Sequence, residues 1–214
     1  MANVDRPRGF EPIGTLSGSP WQSSLQLFYC DGSANDTVIA VGDLVVMTAG
    51  GYPNRIAAGN GATDLLGVVV GIPPASATFS TTTGRYGDNF LSTTDPVLAG
   101  PTANYVAAST AGYILVCTAP DLLMIGQEDG DTTPLVLADV GAAVDITGTY
   151  SATTGHSVME IDSDTVGTQA GDPLKIVALA QTPGNELASV DTTKPWADWV
   201  VTFNTHWTKD NGGV

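Results

Sequence analysis

Carboxylates are the chemistry-bearing groups that this 214-residue chain carries in quantity, and two sets of them stand close enough in sequence to act together. Glu160, Asp162 and Asp164 lie at i, i+2 and i+4, a spacing that places three carboxylates on one face of a strand. Glu128, Asp129 and Asp131 crowd a turn around Gly130. Both sets offer the hard oxygen ligands that calcium takes. Neither has the glycine and the closing glutamate of the twelve-residue calcium loop at the required offsets, so no metal and no other cofactor is expected. Glycoside hydrolysis also uses paired carboxylates, held about 5–9 Å apart across a cleft, a distance that only the fold can set.

The other reactive side chains are scarce. There are two histidines, His156 and His206, so a helical two-histidine metal motif is excluded and general bases are few. His156 stands next to Ser157, but neighbours on a strand point to opposite faces and share a proton poorly. Gly155-His156-Ser157-Val158-Met159 lacks the closing small residue of a nucleophile elbow. Lys175, Lys194 and Lys209 are not preceded by glycine, which removes the phosphate-cradling loop. Cys30 and Cys117 have neither a CxxC spacing nor a disulfide framework around them and are expected as two buried, reduced thiols. The sequence therefore predicts no enzyme.

Positioning falls to strands. Lys, Arg, Glu and Gln total 16, whereas Val, Ile and Thr total 57, and 25 Gly with 13 Pro supply turns. The expected fold is mainly β, an antiparallel barrel or sandwich with a small β-meander domain and an extended N-terminal arm. Strands are expected at Val38–Ala40, Asp43–Thr48, Asn54–Ala57, Leu66–Ile72, Tyr105–Ala108, Tyr113–Cys117, Leu122–Gln127, Val144–Ile146, Ser157–Ile161, Leu174–Leu179 and Trp199–Asn204. Leu66–Gly71 has no polar alternation, the mark of a strand buried on both faces. One helical turn or two is expected near Leu135–Ala143.

These elements divide the chain into an arm at 1–36, a small β-domain at 37–80, a Thr- and Pro-rich loop or linker at 81–103, a β core at 104–182 and a C-terminal strand and tail at 183–214 that packs on the core or a neighbour. The arm alternates Pro7, Pro12 and Pro20 with Gly9, Gly14 and Gly18, and displays Phe10, Trp21, Phe28 and Tyr29. Such aromatics call for a surface to lie on, the chain's own or a neighbouring subunit's.

Net charge is −15, and 14 of the 22 acids fall between residues 86 and 193, where Lys175 is the one base. A surface so acidic repels phosphate backbones and anionic lipid, so neither direct nucleic-acid nor membrane binding is expected. No run approaches the ~18 apolar residues of a spanning helix. Arg6 and Arg8 are not followed by an apolar stretch of the secretory kind, so folding in a cytoplasm is expected.

Several stretches together resemble a family of virion structural proteins of short-tailed bacteriophages: Ile114–Asp121, Ile125–Gly130, Asp139–Gly141, Gly155–Asp162, Leu174–Leu179, Asn204–His206 and the opening Arg8–Ile13. Val41–Val45 through Leu66–Val69 looks like the small β-domain of head decoration proteins. The resemblance implies a capsid decoration or cement protein, oligomeric and often trimeric, that meets the major capsid protein on the outside of the virion after assembly in the host cytoplasm. It brings no catalytic residues. Three tryptophans near the C-terminus, Trp196, Trp199 and Trp207, either fill one end of the core or join Phe10, Trp21 and Phe28 as contact anchors, with Arg6 and Arg8 meeting an acidic capsid surface. The alternative from another class is a tail or fibre component that binds a host-surface glycan.

Overall fold

The computed structural model describes residues 3–33, 37–59, 64–73, 79–80, 85–86, 105–148, 156–167, 171–182, 185 and 195–208. The fold is mainly β, as expected, and every strand pairing is antiparallel apart from two isolated bridges. Strands run in chain order as β1 (Glu11–Thr15), β2 (Leu25–Cys30), β3 (Ile39–Ala40), β4 (Leu44–Met47), β5 (Pro53–Arg55), β6 (Leu65–Gly71), β7 (Phe79–Ser80) and β8 (Arg85–Tyr86). They continue as β9 (Tyr105–Val106), β10 (Gly112–Cys117), β11 (Leu122–Gln127), β12 (Ala143–Thr147), β13 (Glu160–Asp162), β14 (Leu174–Leu179) and β15 (Asp198–Phe203). A six-stranded sheet has the order β1-β11-β15-β14-β12-β13, and a five-stranded sheet the order β2-β10-β6-β4-β5. Of the two expected architectures it is the sandwich-like one that fits: neither sheet closes into a barrel.

The first core cluster lies between the two sheets. Leu44, Leu65, Val68 and Cys117 of the five-stranded sheet join Leu122, Met124, Ile176, Trp199 and Val201 of the six-stranded one. A second cluster, with Val45, Leu66, Val69, Ile114 and Val116, lies on the opposite face of the five-stranded sheet, where Ile39 and Val106 of the β3–β9 pair cover it. β6 therefore has apolar neighbours above and below, which is why its sequence lacks polar alternation. Gly67 fits there because a side chain would strike the Cys117 carbonyl.

Where an arm is expected at 1–36, the described residues 3–33 hold two strands. The segment lies on its own domain: β1 pairs with β11 and β2 with β10, each in a different sheet. Between the strands, Thr118 N–H donates to Ser24 O (3.0 Å) and Leu16 N–H to Asp121 O (2.9 Å), so residues 11–30 follow 112–127 around one corner of the sandwich. Pro12 and Gly14 flank a register shift in β1 and hide its period. Hydrogen bonding also crosses the boundary drawn at 81–103, since β10 pairs with β6. Most of that Thr- and Pro-rich stretch lies outside the described residues. β15, expected at the C-terminal end, runs between β11 and β14. The expected helical turn is a 3₁₀ turn at Leu137–Asp139, where the Asp139 carboxylate accepts from Val136 N–H (2.7 Å).

Cys30 and Cys117 are free and buried. They occupy opposite ends of the β2–β10 ladder, five positions apart on β10, far beyond disulfide reach at about 3.3 Å per residue. Burial pushes the Cys30 thiol up to about 12 and raises Cys117 as well, so both are poor nucleophiles.

Candidate functional site

The carboxylates of the two sequence sets meet at the end of the six-stranded sheet. β13 pairs with β12 on one side and, through a single parallel bridge between Ile161 and Glu128, touches the end of β11 on the other. Ile161 points into the core and Glu160 and Asp162 to the opposite face, as a strand's alternation requires. Asp164 leaves that face, because the chain turns into a 3₁₀ segment at Ser163–Thr165. The expected row of three is thus a pair.

Other acids complete the group. Asp145 on β12 stands directly opposite Asp162. Asp129 donates its N–H to Ile161 O (3.0 Å) and accepts at Oδ1 from the Ser163 N–H (3.0 Å) and hydroxyl (2.8 Å). Burial raises Glu160 to about 7, helped by the charges of Asp5 and Asp129. Burial likewise raises Asp162 to about 6, with Asp129, Asp145 and Asp164 adding to the shift. Asp145 is raised by burial too, against the pull of the Ile146 N–H. No three His, Cys, Asp or Glu side chains among the described residues converge as a metal-ligand set.

Glu128 and Asp131, the rest of the turn set, do structural work. Glu128 is fully buried and accepts from Leu135 N–H (2.8 Å) and Ala197 N–H (3.3 Å), joining two loops. Asp131 accepts from Thr133 N–H (2.7 Å) in a local turn.

His156 and Ser157 are separated as predicted: the histidine is exposed and the serine fully buried, its Oγ accepting from Met159 N–H (3.2 Å). Ser157 lies beside Asp43, a buried carboxyl that accepts from Ala40 N–H (2.7 Å). Burial raises Asp43 to about 6, while Ser157, Ala40 and the charge of Arg55 pull it back. His206 is fully buried and stacks on Phe203, with ring centroids 5.2 Å apart. Its Nδ1 accepts from Thr208 N–H (3.2 Å), which assigns the ring proton to Nε2, 3.2 Å from Leu66 O.

The anchors proposed from sequence separate into core and surface. Phe10 is 2% exposed and fills the space left by Gly126, where a Cβ would strike its ring; Trp199 is 0% exposed. Neither reaches a partner, because both complete the core between the sheets. Trp21 is half-buried against that core, and Phe28 against the second cluster. Trp196 is half-buried over Gly130, which must lack a side chain to admit the indole. Trp207 remains 49% exposed. Arg8 forms ion pairs with Asp198 (3.2 Å) and Glu11 (3.9 Å) inside its own chain, so its charge is partly spent there. The Arg6 N–H donates to Gln127 Oε1 (2.8 Å).

Two features escape sequence reasoning. Gln127, almost fully buried, donates through Nε2 to both Val4 O and Trp196 O (3.0 Å each), so one amide clamps residues 4–6 and 196 to the end of β11. On the five-stranded sheet, Tyr29 (43% exposed) lies 5.4 Å from Tyr113 and 6.0 Å from Tyr52, ring centre to ring centre, and Leu27 beside it is 40% exposed. The alternation of Leu25, Leu27 and Tyr29 along β2 is the one sequence signal of that face. Comparisons with protein-family models, curated proteins and solved structures yield no match.

Proposed function

We propose that the chain is a non-enzymatic structural protein of a virion, a head decoration protein that bridges major capsid subunits from outside as part of a homotrimer. The observation that carries this reading is the division of labour among side chains. Ser157, His206, Asp43 and Glu128 are buried and bonded to backbone, while Trp207, Tyr29, Leu27 and Leu16 stand 40–60% exposed. Large exposed apolar side chains of this kind serve contact better than catalysis. The sequence resemblance to phage virion proteins supplies the partner.

Contact then rests on Trp207 and the Leu27–Tyr29 face, with Trp21, Phe28 and Trp196 contributing edges and Arg6 and Arg8 flanking charge. Modest contacts become strong when several copies of one oligomer engage at once. Removal of residues 1–30 is no test, since it deletes β1 and β2. The useful experiment adds purified protein to undecorated capsids and measures occupancy. Trp207→Ala and the pair Leu27→Ser/Tyr29→Ser are expected to lower occupancy while the circular dichroism spectrum stays the same. Undiminished occupancy by both variants refutes the proposed surface, and sedimentation as a monomer refutes the trimer.

One observation favours a second reading. The Tyr29–Tyr113–Tyr52 group offers partly exposed ring faces of the kind on which sugars stack, which suits a tail or fibre component that binds a host-surface glycan. Binding to cells without capsid, abolished by Tyr29→Ala, would select it.

A further inference from the structure

The turn that leads into β14 contains a peptide bond with a nucleophile of its own. The chain has two Asp–Pro bonds, Asp95–Pro96, which lies outside the described residues, and Asp172–Pro173, immediately before β14. An aspartyl carboxyl can close a five-membered ring on its own backbone carbonyl carbon, so the attack is intramolecular and its entropic cost is small. Proline adds a leaving nitrogen that belongs to a tertiary amide and has no N–H.

One residue grips this bond from both sides. Asn204, which follows β15, donates its side-chain Nδ2 to Asp172 O (2.7 Å) and its backbone N–H to Pro173 O (2.8 Å), and Thr205 N–H adds a longer bond to Pro173 O (3.4 Å). Leu174 then pairs with Phe203 in the β14–β15 ladder, which fixes the leaving side of the bond. Asp172 is 1% exposed, and Pro173 and Thr205 are buried with it. In such surroundings a donor aimed at a carbonyl oxygen binds more tightly as negative charge gathers there.

We propose that Asp172–Pro173 is a self-cleavage site. An oxygen of the Asp172 carboxylic acid attacks the Asp172 carbonyl carbon, and the acid's proton passes to the prolyl nitrogen. A C–O bond forms and the C–N bond breaks, while Asn204 Nδ2 holds the transient charge on the carbonyl oxygen. The step leaves a cyclic anhydride on Asp172 and a free secondary amine on Pro173. Water enters beside half-exposed Gly171 and opens the anhydride, so the net change is the addition of one water. The products, 1–172 and 173–214, stay in one fold, because β14 and β15 of the second piece remain paired with β12 and β11 of the first. Cleavage happens once per chain and does not depend on the virion reading.

The test compares the full chain folded in buffer with the same chain unfolded in urea, both at pH 5, by mass spectrometry over time. In urea both Asp–Pro bonds are expected to break slowly and at similar rates, which sets the baseline. In the folded chain Asp172–Pro173 is expected to break about a hundredfold faster than that baseline, the size of effect that one donor at an oxyanion confers. Asn204→Ala should return the rate to the baseline while thermal melts show a folded chain, and Asp172→Ala should end cleavage at this bond. A folded rate no higher than the unfolded one overturns the proposal and needs no variant. A rate unmoved by Asn204→Ala, or cleavage that persists in Asp172→Ala, overturns it as well.

Discussion

The corner at residues 11–30 and the seam at β13 are both places where one stretch of chain is laid against another far away in sequence, yet they are built on opposite principles. At the corner, 11–30 follows 112–127 through two ladders with hydrogen bonds between them, and apolar side chains from both sheets lock it. At the seam, one backbone bridge and the side-chain bonds of Ser163 to Asp129 and Asp131 join the edges, and the face away from the core gathers carboxylates. Pairing of backbone alone does not determine how firmly an edge is held; what stands on its faces does. The chain's acidity is general, but only where the acids are half-buried and near one another does it acquire a consequence for structure.

Breaking the corner should have the largest effect. Phe10→Ala empties the space over Gly126 and is expected to cost about 3–5 kcal/mol in denaturant unfolding, with both sheets affected in one transition. A loss below ~1 kcal/mol would mean that residues 3–10 are held by other contacts. Gln127→Ala comes next: it strands a buried N–H and two carbonyls, and about 1–3 kcal/mol is expected from the same measurement. Glu160→Gln sharpens the contrast with a change of sign, since it should raise the unfolding midpoint at pH 8 and leave it nearly unmoved at pH 5. Asp43, raised to about 6 by burial, adds to the same trend, so the intact protein is expected to be more stable at pH 5 than at pH 8 by thermal melts. Arg8→Ala should have the smallest effect, about 1 kcal/mol and reduced in high salt, because the guanidinium is 38% exposed and its Glu11 partner 68%, which leaves the pair with the more buried Asp198 as the main loss.

Strands with a local apolar signature were legible from sequence almost to the residue. Leu122–Gln127 and Leu174–Leu179 coincide with β11 and β14, and Leu66–Ile72 lies one residue from β6. β1 and β2 were not legible as strands. Pro12 and Gly14 erase the period of one, and the partners of both lie about 100 residues on, so nothing nearby announces the pairing. For Phe10 and Trp199 sequence leaves the site of burial open, because an aromatic looks the same whether it fills its own core or a neighbour's. Of the seam, sequence shows both carboxylate sets but not their meeting, which depends on the bridge between Glu128 and Ile161. Tyr29, Tyr52 and Tyr113 are brought together only by the sheet.

The long reach of the corner also bears on how the protein is made. A ribosome that adds ~5–20 residues per second needs roughly 5 to 20 s to pass from Leu25 to Cys117, the residues that pair at one end of the β2–β10 ladder. During that interval the uncharged, strand-forming stretch Leu25–Cys30 has been synthesised but has no β10 to pair with. Segments of that composition pair with other nascent copies of themselves when left waiting. Slower initiation, which spaces the ribosomes, is therefore expected to raise the yield of correctly folded chain more than slower elongation, which only lengthens the wait.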